Sequence, residues 1–142
     1  MSNAQFYPHG GMSNHNTREI VFSFLSNNTS DPSLTSVVGV GTGTGVSAMV
    51  KTLTHSATGK ITVALSNDRG TCKAVLYASA ELEDLSSDDG AYCTIGPISN
   101  EATNTGLSFP LFLRAATGTK TDYTNRRVFV RLVIRDTAAG VP

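Results

Sequence analysis

The chain has 142 residues, 39% of them apolar and 15% charged, and its 11 basic and 11 acidic side chains give zero formal charge. That length suits one domain with a core of its own, needing neither metal nor disulfide. Neutrality, with a charged fraction below the roughly 25% of average globular chains, excludes a global pull on nucleic acid or an anionic membrane and leaves copies free to associate.

Residues 1–16 are polar, carry Pro8 and Gly10-Gly11, and show no periodicity, so they read as an extended N-terminal arm. Met1 is not followed by a basic and then an apolar segment, and no apolar run is long enough for a membrane helix. Neither a secretory signal nor a membrane span is expected, and synthesis in a cytoplasm is. The first strand is predicted over residues 18–26, with Ile20, Phe22 and Phe24 on one face, and turn residues 27–32 end it. Residues 34–40 predict a second strand, and residues 39–45 a glycine-rich loop. A third strand is expected over 46–54, with Val46, Ala48, Val50 and Thr52 alternating. A turn at 55–59 then leads to a return strand over 60–66, with Ile61, Val63 and Leu65 inward.

The longest alternating run is 72–83, where Cys72, Ala74, Leu76, Ala78, Ala80 and Leu82 share a parity. Its Ala, Leu and Glu content also suits a helix, but the period of two over six apolar positions favours a strand. Asp84 to Gly90 is an acidic loop, and strands are expected over 92–98, 107–114 and 126–136. Pro97 and Pro110 place their strands at an edge or a bulge, because proline cannot donate to the ladder. The last strand alternates most clearly: Val128, Val130, Leu132 and Ile134 on one parity, Arg127, Phe129, Arg131, Val133 and Arg135 on the other. About eight strands with short loops predict an all-β fold, a single antiparallel jelly-roll-like β-sandwich over 17–137, with 138–142 as a C-terminal tail.

Chemical motifs are sparse. The Gly39–Gly45 run lacks the Lys-Ser/Thr ending of a phosphate loop and no helix follows it. His9, His15 and His55 read as exposed, solvated side chains, without ligand spacing on a strand, and Asp84, Asp88 and Asp89 do not follow a calcium-loop alternation. No nucleophile elbow occurs. No metal, cofactor or catalytic residue is therefore expected, and the chain reads as no enzyme. Cys72 and Cys93 are expected as two buried thiols in a reducing compartment. Arg127, Arg131 and Arg135, with Arg114 and Arg126, form a basic stripe: an ordinary wet face that resists edge pairing, or a docking surface for an acidic partner. Tyr77, Phe112 and Phe129 sit on the less apolar parity of their strands, which reads equally as an exposed protein contact or as a sandwich corner that buries both parities.

The order of these signals resembles a known family. A short arm leads into REIVFSFLSNNTSDPS (residues 18–33), then a glycine-rich loop, VKTLTHSATGKITVALSND (50–68), KAVLYASAELE (73–83) and RRVFVRLVIRDT (126–137). This resembles small virion proteins of tailed bacteriophages, several of which look like head decoration, or cement, proteins: β-sandwiches on the outer capsid, often trimeric. Ile61 stands where that pattern often has Tyr, and Asn27-Asn28 where it has Asn-Gly. The resemblance implies a virion protein made in the bacterial host cytoplasm, with the major capsid protein and its own copies (a homotrimer) as partners, and neither nucleic acid nor membrane. The expected contacts are Phe6, Tyr7 and Pro8 as anchors of the arm, with Arg127, Phe129, Arg131 and Arg135 on the last strand. Two other roles compete: a receptor- or glycan-binding fibre module, and a tail-tube or head–tail connector subunit.

Overall fold

The structure, a computed structural model, describes residues 17–40, 49–67, 72–84, 89–101 and 105–137. Eight strands follow one another: β1 (Thr17–Leu25), β2 (Val38–Val40), β3 (Val50–Ala57), β4 (Lys60–Leu65), β5 (Cys72–Leu82), β6 (Tyr92–Ile95), β7 (Ser108–Arg114) and β8 (Arg127–Thr137). They build two four-stranded antiparallel sheets, sheet I in the order β2-β1-β8-β5 and sheet II in the order β3-β4-β7-β6. The expected antiparallel β-sandwich is the fold. The arm 1–16 with Phe6, Tyr7 and Pro8, the glycine-rich segment 41–48 and the tail 138–142 lie outside the described residues.

Period-two patterning builds the core. β1 runs along β8 from Thr17 opposite Arg135 to Leu25 opposite Arg127. Ile20, Phe22 and Phe24 therefore stand beside Leu132, Val130 and Val128, and all six are buried. In sheet II, Ile61 and Val63 pair with Leu111 and Phe109, again all buried. The two apolar faces close on each other as one core, the largest favourable contribution to such a fold.

Four expectations need correction. Residues 34–40 are not one strand: Leu34–Ser36 is a 3-10 turn, and only Val38–Val40 pair with β1. Ser33 caps that turn by accepting from the Thr35 amide, and Ser36 Oγ accepts from the Leu25 amide, so hydroxyl chemistry overrides strand propensity here. The third strand starts at Val50 among the described residues and runs on to Ala57, leaving Thr58-Gly59 as the turn. A register shift at Lys51 turns Thr52 outward and puts Leu53 in the core.

In β5 a bulge between Val75 and Tyr77 breaks the single parity. Val75 faces the core side before it, Ala78, Ala80 and Leu82 after it, and Leu76 is left 54% exposed. Lastly, β7 is an interior strand despite Pro110. The Pro110 carbonyl accepts from the Gly96 amide, and β6 ends at Ile95, so the ring nitrogen faces the point where that ladder stops.

One ionic cluster locks the end of sheet I at which β1 begins. Asp136 on β8 receives Arg18 Nε at 2.8 Å and lies 3.5 Å from Lys73 Nζ, and Lys73 also donates to Asn67 Oδ1 at 2.8 Å. Asp136 and Lys73 are buried in this cluster, and breaking a buried pair by removing one partner costs about 3–5 kcal/mol. Asp136→Ala is expected to lower the unfolding free energy by about that much in urea, whereas Arg131→Gln on the wet face should cost under about 1 kcal/mol.

Candidate functional site

The β8 stripe faces outward on sheet I, and its central arginine is paired with a carboxylate. Arg131 forms an ion pair with Glu19 of β1 and lies 5.3 Å over the Tyr77 ring. Arg127 donates to Ser23 Oγ at 3.0 Å and reaches the Ser36 carbonyl, so it ties β1 to the 3-10 turn. Arg135 is exposed at the end of the stripe where β1 begins. Phe129 is 43% exposed and Tyr77 50% exposed, and Phe129 borders a hollow of about 200 Å³ with Val21, Ser79, Glu81 and Arg131. This face is a mixed surface of aromatic, basic and acidic groups. Arg126 does not belong to it: it is buried, donates to Asp89 Oδ2 at 2.6 Å and stacks 4.7 Å over Tyr123.

Sheet II presents a different outer face. β4 turns Lys60, Thr62 and Ala64 outward, β7 turns Ser108, Pro110, Phe112 and Arg114 outward, and β6 adds Tyr92 and Thr94. Lys60 lies directly opposite Phe112, Thr94 opposite Phe112 on the other side, and Tyr92 opposite Arg114. The loop after β7 folds back so that Lys120 pairs with Arg114, continuing the row begun by Lys60. Lys120 Nζ sits 4.6 Å from the Phe112 ring centre and the Arg114 guanidinium 5.6 Å from it. Gly96 makes room for this ring, since a Cβ there would lie 2.8 Å from Phe112 and 2.7 Å from Pro110. The less apolar parity of β7 carries Phe112 in the sequence, but its basic neighbours become visible only when the sheet places Lys60 and Lys120 beside it.

The loops around the strand turns are held by carboxylates. Asp122 receives the Gly59 amide at 2.6 Å and lies 2.9 Å from His55 Nε2, while Asp31 receives the His55 amide at 2.8 Å. His55 is thus a half-buried structural partner and not the free, solvated side chain expected. Gly59, at φ +63°, sits where a Cβ would meet the Thr121 nitrogen at 2.6 Å. Cys72 and Cys93 are both buried thiols outside any disulfide, as expected, and burial pushes the Cys93 thiol up to about 12. Among the described residues, no group of three or more His, Cys, Asp or Glu could hold a metal ion. An open hollow of about 400 Å³ beside sheet II is lined by Lys51, Ser66, Asn67, Asn100, Thr105 and Ser108, without an aromatic ring.

Neither a family model, nor a curated protein, nor a solved structure matches this chain.

Two carboxylates are held below their ordinary value and contribute to acid sensitivity. The Ala91 amide and then Arg126 hold Asp89 below the ordinary 3.8. Partial burial pushes the Asp122 carboxyl up, but the Gly59 amide and His55 outweigh it, so Asp122 also lies below 3.8. A carboxyl depressed on folding stabilises the fold above its unfolded pKa and loses that contribution as pH falls through its folded value. The thermal midpoint, followed by circular dichroism, should stay level from neutrality to about pH 5 and fall below about pH 4. Asp122→Asn should lower the midpoint near neutrality and flatten part of the acid fall.

Proposed function

We propose that this chain is a decoration protein of a tailed-bacteriophage head, which binds the outer surface of the assembled capsid and stabilises it through protein–protein contacts. The observation that carries the reading is the disposition of aromatic side chains. With both inner faces closed into one core, Phe129, Tyr77 and Tyr92 still stand 40–50% exposed on the two outer faces. Exposed aromatics on rigid strands are the usual anchors of protein contacts. The strand-and-turn resemblance to phage head proteins supports the same role.

In this reading the mechanism is mass action. A protein that binds only the assembled lattice stabilises it by RT ln(1 + c/Kd), where c is its free concentration, and a homotrimer spanning neighbouring capsomers adds avidity. The arm 1–16 acts as the clasp on the shell, with Phe6, Tyr7 and Pro8 as apolar anchors. β1, which follows the arm directly, is an interior strand of sheet I and is tied by Arg18 to Asp136. A pull on the arm would therefore be taken up by the core sheet.

Deleting residues 1–16 should abolish retention on purified heads in co-sedimentation, with the sandwich still folded by circular dichroism. Normal occupancy by the truncated protein would remove the clasp. Sizing the full-length protein separates the rivals: a discrete trimer supports a decoration protein, and a hexamer or open polymer supports a tail subunit.

A further inference from the structure

We propose that the outer face of sheet II, built around Lys60, Phe112, Arg114 and Lys120, is a docking surface for an acidic polypeptide segment. It rests on the capsid reading for the identity of the partner, an acidic loop or tail of the shell protein, but not for its chemistry.

Three observations carry it. The first is uncompensated charge. Among the described residues no carboxylate pairs with Lys60, Arg114 or Lys120, whereas Arg18, Arg126 and Arg131 each have one. The carboxylate in the same loop, Asp122, is turned to the Gly59 amide and His55. No strand of sheet II contributes Asp or Glu.

The second is preorganisation. Phe112 is seated against Gly96 and Pro110, with Lys120 Nζ 4.6 Å and the Arg114 guanidinium 5.6 Å from its ring centre. Arg114 is fixed further by donating to the Gly118 carbonyl at 2.8 Å. A cation–π contact orients a cation without neutralising it, so the groups stay available to carboxylates.

The third decides between polyanions. A sheet that reads nucleic acid stacks bases on open aromatic faces. Here the ring of Phe112 is already covered by cations, and the net charge is zero, so no long-range field gathers a phosphate backbone. Three cations in two adjacent rows suit a short run of carboxylates. The exposed hydroxyls of Thr52, Thr54 and Ser56 on β3 extend the face with neutral partners for its main chain.

The test titrates the full-length protein into a fluorescein-labelled peptide of about ten glutamates and reads anisotropy at low and high salt, where screening separates charge pairing from other contacts. A serine-glycine peptide and a single-stranded oligonucleotide of equal charge serve as controls. Binding of the glutamate peptide is expected, lost at high salt and weakened about tenfold or more by Lys60→Gln with Lys120→Gln. The inference falls if the glutamate peptide fails to bind, if the double variant binds as well as the parent, or if the oligonucleotide binds tighter through the same lysines. Head co-sedimentation of the double variant tests the capsid reading separately: retention of the parent on heads with loss of the variant supports both, and failure of the parent to bind heads removes only the capsid reading.

Discussion

Everything in this molecule depends on the register of β1 against β8. Nine residue pairs fix Ile20, Phe22 and Phe24 against Leu132, Val130 and Val128. A slip of one residue in β1 would carry Ile20, Phe22 and Phe24 to the outer face and bring Glu19, Val21 and Ser23 into the core. Burying unpaired charge costs far more than any ladder bond returns, so the register is strongly specified. The Arg18–Asp136 pair fastens the same register at one end, and Ser26, which exchanges hydrogen bonds with residues 123–126, fastens it at the other. Since these two strands form the middle of sheet I, both its inner face and its outer face are decided together.

The two outer faces then differ in how their charge is arranged. Sheet I carries Glu19 on β1 and Glu81 on β5 among the arginines of β8, and Glu19 forms an ion pair with Arg131. Sheet II places Lys60 across from Phe112, and Arg114 across from Tyr92 on one side and Lys120 on the other. A chain can be neutral as a whole while one face is bare of acid, because net charge counts side chains and a face counts their placement. Long-range attraction reads the first quantity, and a docking contact reads the second.

Much of the sandwich was legible in the sequence, since alternation over β1, β4, β7 and β8 directly records which face is wet. What escaped is where an extra residue enters the ladder. Leu76 continues the apolar alternation of β5 and yet lies exposed, because the bulge before Tyr77 reverses the parity, and Lys51 does the same to β3. Bulges are set by the partner strand, which a single stretch of chain does not display. Pro110 misled for a related reason: an interior strand tolerates it where the neighbouring strand has ended. The basic stripe of β8 was visible as residues, but its compensation by Glu19 required knowing that β1 is the neighbour. The Phe112 cluster joins residues from β4, β7 and the following loop, so no contiguous motif announces it.

Sheet geometry also explains why the cluster sits on sheet II. Phe112 needs a gap in the adjacent strand to lie down, and Gly96 provides it at the point where β6 stops. The same ending of β6 lets Pro110 occupy an interior strand. Proline, glycine and phenylalanine are thus one local solution, in which a terminated ladder opens a seat for a ring. Lys120 reaches that ring because the Thr58-Gly59 turn leaves Leu113 free to bond the Gly59 carbonyl and then Thr121, which folds the loop back beside β7. A side chain at Gly59 would collide with that returning strand, so the tight turn between β3 and β4 is a precondition for the cationic face, although it contributes no charge to it.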